Sequence, residues 1–193
     1  MVFGKAVQSV VGEPAAGTVV DVLDGAGSLI GWGVFNPSSM YRVRLLATIE
    51  PQLLEHRDLS ILLRYRLEAA AQLRQACGLP SESTSAYRLV NSEGDRLSGL
   101  QVDVFARQAV AVSSALWVEQ RREMVRAALL ELDGIDEVVW RRNEARLKQD
   151  GDDGSRAERR PPTSAQQLPP PARSRQSQPP LTSQKTWRRR APG

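Results

Sequence analysis

The chain has 193 residues and a formal net charge of +4, from 26 Lys and Arg against 22 Asp and Glu, but that charge is unevenly placed. Residues 151–193 hold 8 of the 12 prolines and 9 basic against 3 acidic residues, which leaves residues 1–150 with 17 basic against 19 acidic, a balance of −2; the basic character belongs to the tail and does not by itself make the rest a polyanion binder. One cysteine, Cys77, and one histidine, His56, exclude an intramolecular disulfide, a thiolate cluster and His/Cys zinc chemistry, and no apolar run approaches the ~20 residues of a membrane span.

The first 48 residues predict short strands. GTVVDVLD (17–24) alternates apolar and polar positions, and Asp24-Gly25-Ala26-Gly27 supplies a hairpin turn into SLIGWGVF. Gly31 and Gly33 inside the returning strand predict a bend or bulge, as in a small barrel. After Asn36-Pro37, MYRVRLLA (40–47) places Arg42 and Arg44 on one face and Tyr41, Val43 and Leu45 on the other, so the 42/44 face is expected to be the solvent-exposed one.

From residue 58 the period becomes helical: Leu59, Leu62, Leu63, Leu67, Ala70, Leu73 and Cys77 form one apolar stripe, with Asp58 as N-cap and Gly78 followed by Pro80 as the stop. Cys77 on that stripe is expected to be a buried, inert thiol. Residues 86–115 read as strands again, with turns at 93–95, 98–99 and 106–107. Residues 117–132 read as a second amphipathic helix, with Val118, Met124, Val125, Ala128, Leu129 and Leu132 inward and Glu119, Arg121, Arg122 and Glu123 mostly outward. A last strand follows at 136–141. The tail has no Val, Ile, Phe or Met and is expected to be disordered. The order of elements predicts an α+β fold: a small β barrel (1–50), a compact α+β module (51–151) and a disordered Pro/Arg-rich tail (152–193). With no signal-like start, the chain is expected to be soluble and intracellular, with cytoplasm and plastid both open.

Three strings, GWGVFNPSSMYRVRLLA (31–47), AYRLVNSEGDRLSGLQVDVF (86–105) and WRRNEARLKQDG (140–151), resemble in order and spacing the ribosomal-RNA large-subunit cytosine-5 methyltransferase family, in its plant and algal form. The resemblance covers about residues 2–151. It implies an N-terminal PUA RNA-binding domain and a central α+β domain. In the family a class I S-adenosylmethionine-dependent catalytic domain follows, and here the match stops at Gly151. Met1-Val2-Phe3 stands where the family has Trp-Val-Phe, so the first PUA strand is expected to be missing. Gly17-Thr18-Val19-Val20 replaces the usual Gly-Asp-Val-Val and loses a carboxylate at a turn. The chain is therefore expected to be the RNA-binding part of such a methyltransferase, with ribosomal RNA as partner, no cofactor site, no metal and no catalytic residue of its own. The alternative is a noncatalytic RNA-binding or protein-interaction module with a proline-rich tail.

The residues agree with that division of labour. Methyl transfer needs a Gly-rich turn leading from a strand into a helix. Gly25, Gly27 and Gly31 lack that spacing and lead into another strand. Glu93 and Asp95 flank Gly94 in what reads as a polar turn whose carboxylates bond backbone amides, and His56 reads as a surface residue. For RNA, the candidates are Lys5, Trp32, Tyr41, Arg42, Arg44, Arg88 and Arg96, basic and aromatic side chains in β modules suited to phosphates and unpaired bases.

Overall fold

The predicted hairpin forms as β1 (Val19–Leu23) and β2 (Leu29–Phe35), paired antiparallel from Val19↔Val34 to Leu23↔Leu29. The Asp24 carboxylate accepts from the Ala26 and Ser28 amides at 2.9 and 2.8 Å, which fixes the turn. These relations come from a computed structural model, which describes residues 1–48 and 50–152. β3 (Val43–Ala47) pairs antiparallel with β2, with an irregularity between Trp32 and Gly33. Both strand glycines are required by close approach: a Cβ at Gly31 would lie 2.2 Å from the Ala47 carbonyl oxygen, and one at Gly33 would lie 2.1 Å from that of Arg44.

This first sheet is three-stranded, in the order β1-β2-β3, in place of the barrel expected from the sequence. The N-terminal segment supplies only an isolated bridge: the Val2 amide donates to the Val43 carbonyl, the Val43 amide to that of Val2, and the Gly4 amide to that of Met40. Met1–Phe3 thus lies along the β3 side of the sheet and pairs there at one position.

Helix α1 (Pro51–Glu55) is short. It leads to α2 (Leu59–Ala76), whose N-cap Asp58 accepts from the Ser60 and Ile61 amides at 2.7 and 3.3 Å. The second sheet has the order β4-β5-β6-β7, from β4 (Ala86–Asn91), β5 (Leu100–Phe105), β6 (Gln108–Ser113) and β7 (Glu137–Arg142). Its first two pairings are antiparallel. β6 and β7 run parallel, which demands a crossover. Helices α3 (Leu116–Gln120) and α4 (Arg122–Leu130) make that crossover, and α5 (Glu144–Gln149) follows β7.

The single helix predicted over 117–132 is therefore two. Arg121 leaves helical geometry at φ −116°, ψ 25°, and its guanidinium donates to the Gly17 carbonyl at 2.8 Å while the Gln120 amide reaches that of Ala16. This long-range anchoring at the break is invisible to periodicity. One hydrophobic core joins Trp32, Val34 and Leu46 of the first sheet to Leu62, Leu63 and Leu67 of α2 and to Leu89, Val102 and Val138 of the second. At the C-terminal end of α2 the expected stripe comes out of the core: Leu73 is half exposed and Cys77 is exposed, because the burying neighbours cover only Leu59 to Ala70. Met124 is likewise exposed on α4. The expected disordered tail falls, from residue 153 onward, outside the described residues.

Candidate nucleic-acid interface

Two of the seven RNA-binding candidates are in the wrong place. Trp32 is completely buried, with its indole N–H donating to the Leu53 carbonyl, so its ring ties the first sheet to α1 and offers no stacking face. Arg44, expected on an exposed face, is 8 % exposed. β3 is covered on both sides, and the second module brings Arg44 a counter-ion that local alternation cannot reveal. Arg44 Nη2 lies 3.0 Å from Asp150 Oδ1 and Nη1 donates to Ser98 Oγ at 2.8 Å, with Glu93 3.9 Å away. Asp150 is itself saturated, since its other carboxylate oxygen accepts from the Leu116 amide at 2.8 Å and its carbonyl from Asn36 Nδ2 at 2.7 Å.

Two more candidates are exposed but engaged. Arg88 forks onto Asp103 across β4 and β5 at 2.6 and 3.0 Å. Arg96 and the buried Arg66 share Glu50; Arg66 Nη1 sits at 2.9 Å and Arg96 makes a shorter bond. Burial works to raise the Glu50 carboxyl, but the Arg66 hydrogen bond and the two guanidinium charges outweigh it and hold the group at about 2. Asp21 of β1 pairs with Arg57 at 2.8 Å. Glu119, expected on the surface, is mostly enclosed. It accepts from Ser113 Oγ and from the Trp140 indole, and pairs with Arg142 at 2.9 Å.

Of the remaining three, Tyr41 and Arg42 lie beside the N-terminal segment that carries Lys5. Pairing of the N-terminal segment along residues 40–43 sets Phe3 against Tyr41, ring centroids 5.2 Å apart and tilted by 54°. Phe3 is 50 % exposed and Tyr41 is part-buried. The Arg44 guanidinium lies 5.2 Å from the Tyr41 ring centroid, a cation–π contact from within the protein. Arg42 donates to the Pro37 carbonyl and, among the described residues, has no carboxylate within ion-pair distance; nor has the exposed Lys5. A half-exposed aromatic pair with two cations nearby that lack carboxylate partners among the described residues is a surface that can stack an unpaired base and hold its phosphates. Phe3 is the member that the sequence alone does not single out.

The turn at Glu93–Asp95 behaves as expected for Asp95, which accepts from the Asn91 amide and from Arg74 at 2.6 Å. Among the described residues, the two turns nearest in kind to an S-adenosylmethionine loop are otherwise engaged. The glycines of 24–27 close a hairpin, and the loop from β6 into α3, a strand-to-helix turn, is Ser113-Ser114-Ala115, with the first amide of α3 already occupied by Asp150. Among the described residues, no group of three His, Cys, Asp or Glu could hold a metal, and no helix is long and apolar enough to cross a membrane.

Residues 1–48 match the model of a PUA-like domain. The class defined by the N-terminal sheet is thus a PUA-like module, joined here through a common core to a mixed sheet. The chain is similar to ribosomal RNA large subunit methyltransferase I of Alteromonas mediterranea, 32 % identical over 131 residues, covering 68 % of this chain and 32 % of that protein. It is also similar to ribosomal RNA large subunit methyltransferase I of Tolumonas auensis, 30 % identical over 150 residues, covering 78 % and 36 %. The chain spans about a third of the length of the curated relatives it matches. Two solved structures share the fold: a putative methyltransferase complexed with SAH (TM-score 0.54, 18 % identity, 65 % of this chain and 32 % of that one) and a putative SAM-dependent methyltransferase from Streptococcus mutans (0.55, 17 %, 67 % and 34 %).

Proposed function

We propose that this chain is the RNA-binding part of an S-adenosylmethionine-dependent ribosomal-RNA methyltransferase, of the cytosine-C5 type and of plant or algal kind, and that it carries neither the cofactor site nor the catalytic nucleophile. In this reading residues 1–50 contribute the RNA-binding face and residues 51–151 the supporting central domain. The observation that carries it is the Phe3–Tyr41 pair, backed by Arg44 and flanked by Lys5 and Arg42. Similarity to ribosomal-RNA methyltransferases supplies the substrate class.

The test is fluorescence anisotropy of the 193-residue protein with labelled single-stranded RNA. Tyr41→Ala removes stacking worth about 1–3 kcal/mol, so affinity is expected to fall roughly 5- to 150-fold. Charge reversal of Lys5 and Arg42 to Glu is expected to flatten the salt dependence by about 0.7 in log–log slope for each lost phosphate contact, with little change in thermal stability. Binding at wild-type strength by both variants would place RNA elsewhere. Transfer of labelled methyl groups to ribosomal RNA by the purified chain would overturn the inactivity.

A further inference from the structure

The SEGDRLS string (92–98) is not absorbed by the aromatic platform, yet it forms one wall of a groove beside it. The groove has about 390 Å³ of room, within the ~300–1,000 Å³ of small-molecule sites. Its apolar walls are Met1, Leu45 and Leu46, and its polar rim is Glu93, Arg96 and Ser98, with Thr48 and Arg66 completing the lining. Ser92 and Arg96, at φ +50° and +57°, bracket the turn in the left-handed region although neither is glycine. Groove and platform are continuous. Met1, whose sulfur lies 3.7 Å from Ser98 Oγ, is two residues from Phe3, and the Arg44 guanidinium that faces the Tyr41 ring donates to Ser98.

Charge decides what the groove prefers. Arg66 and Arg96 share Glu50, and Arg44 stands against Glu93 and Asp150, so the three guanidinium groups around the groove meet three carboxylates and leave no cationic surplus to attract a phosphate. Apolar walls with a carboxylate and a guanidinium on one rim suit a flat heterocycle that presents donors and acceptors on different edges. Burial works to raise the Glu93 carboxyl, but the Ser92 and Ser98 hydroxyls and the Arg44 charge prevail and hold it below its ordinary value, so it is an acceptor at neutral pH. Guanine matches: its N1–H and N2 amino group face a carboxylate, and its O6 and N7 face an arginine. Adenine offers an acceptor where guanine has N1–H, and would meet the Glu93 carboxylate with like polarity.

We infer that the groove between β3 and the 92–98 turn takes one unpaired guanine of an RNA strand whose neighbouring base stacks on Phe3 and Tyr41, with Glu93 and Arg96 reading the base. The inference rests on the RNA-binding reading of the platform and adds a base preference to it. The experiment measures binding of labelled heptauridines carrying G, inosine, A, C or U at the central position. It is paired with NMR titration of the same protein with guanosine and adenosine monophosphates. The guanosine heptamer is expected to bind about tenfold more tightly than the all-uridine one, with inosine in between. In Glu93→Gln and Arg96→Gln that ratio should fall below about twofold. Guanosine monophosphate should shift the amides of Thr48, Glu93, Arg96 and Ser98, and the adenosine nucleotide should not.

Equal binding of all heptamers, with those amides unmoved by guanosine monophosphate, overturns the groove inference and leaves the platform standing. Absence of heptamer binding with a guanosine-specific shift at those amides upholds the groove and overturns the platform. A guanosine preference that survives both substitutions also overturns the groove inference. Should Glu93→Gln fail to fold, Arg96→Gln and the nucleotide titration decide.

Discussion

Removing the carboxylate of Asp150 should unfold the contact between the two sheets more effectively than any surface change. In Asp150→Ala the Arg44 guanidinium loses its ion pair at 3.0 Å, and the Leu116 amide loses its acceptor at 2.8 Å, both in a buried setting. Breaking a buried pair by deleting one partner costs about 3–5 kcal/mol, because the remaining charge stays desolvated. For a domain of this size each kcal/mol shifts the melting temperature by about 2–4 °C, so a fall of roughly 6–20 °C is expected. Urea denaturation followed by tryptophan fluorescence measures the free energy, and calorimetry the midpoint. Replacing both partners, Arg44→Met with Asp150→Leu, should recover most of the loss, since an apolar pair of similar volume often matches or exceeds a buried ion pair. A loss below about 1 kcal/mol in Asp150→Ala would refute the reasoning, for it would mean that water already reaches Arg44.

Gly33→Ala should destabilise by about 3 kcal/mol or more, since its Cβ would lie 2.1 Å from backbone oxygen that cannot step aside; a thermal melt within 2 °C of wild type would contradict it. Glu50 has a folded-state pKa near 2, below its ordinary 4.5, so its contribution is fully present above pH 4.5 and is lost as pH falls toward 2. Urea midpoints between pH 5 and 2 should therefore fall less steeply in Glu50→Gln than in wild type. Cys77→Ser should change stability by no more than about 0.5 kcal/mol, and the native thiol should react with a colorimetric disulfide reagent without denaturant, because the side chain is exposed.

Features set by neighbouring residues could be read from the sequence, and features set by distant ones could not. The Asp24 turn, the Asp58 cap and the start of α2 depend on side chains within four residues of the amides they satisfy. Arg44 was misplaced because alternation along a strand assumes one wet face, whereas its partner stands 106 positions away. Trp32 and Arg121 follow the same logic, each bonded to a carbonyl that no window around it contains. Cys77 was misplaced for the opposite reason: a regular stripe continues past the point where anything remains to cover it. Of the proposed interface, Lys5, Tyr41 and Arg42 are candidates from residue type and strand context. Phe3 depended on the N-terminal segment lying against residues 40–43, a pairing that one bridge does not announce in the sequence.

The bond pattern around Asp150 also bears on the order in which the chain can assemble during synthesis. β3 is made early, but the nearest counter-ion of its arginine, Asp150 at 3.0 Å, leaves the ribosome more than a hundred positions later, and before it only Glu93, 3.9 Å away, is available. Contacts of such separation slow folding through the entropy of closing the intervening loop. A nascent chain halted before Asn143 would hold the first sheet with Arg44 facing only the more distant and half-exposed Glu93, an arrangement that favours keeping the strand open to water. Folding of the PUA-like sheet is thereby tied to completion of the second module, and stalled chains ending upstream of Asp150 should remain protease-sensitive in both.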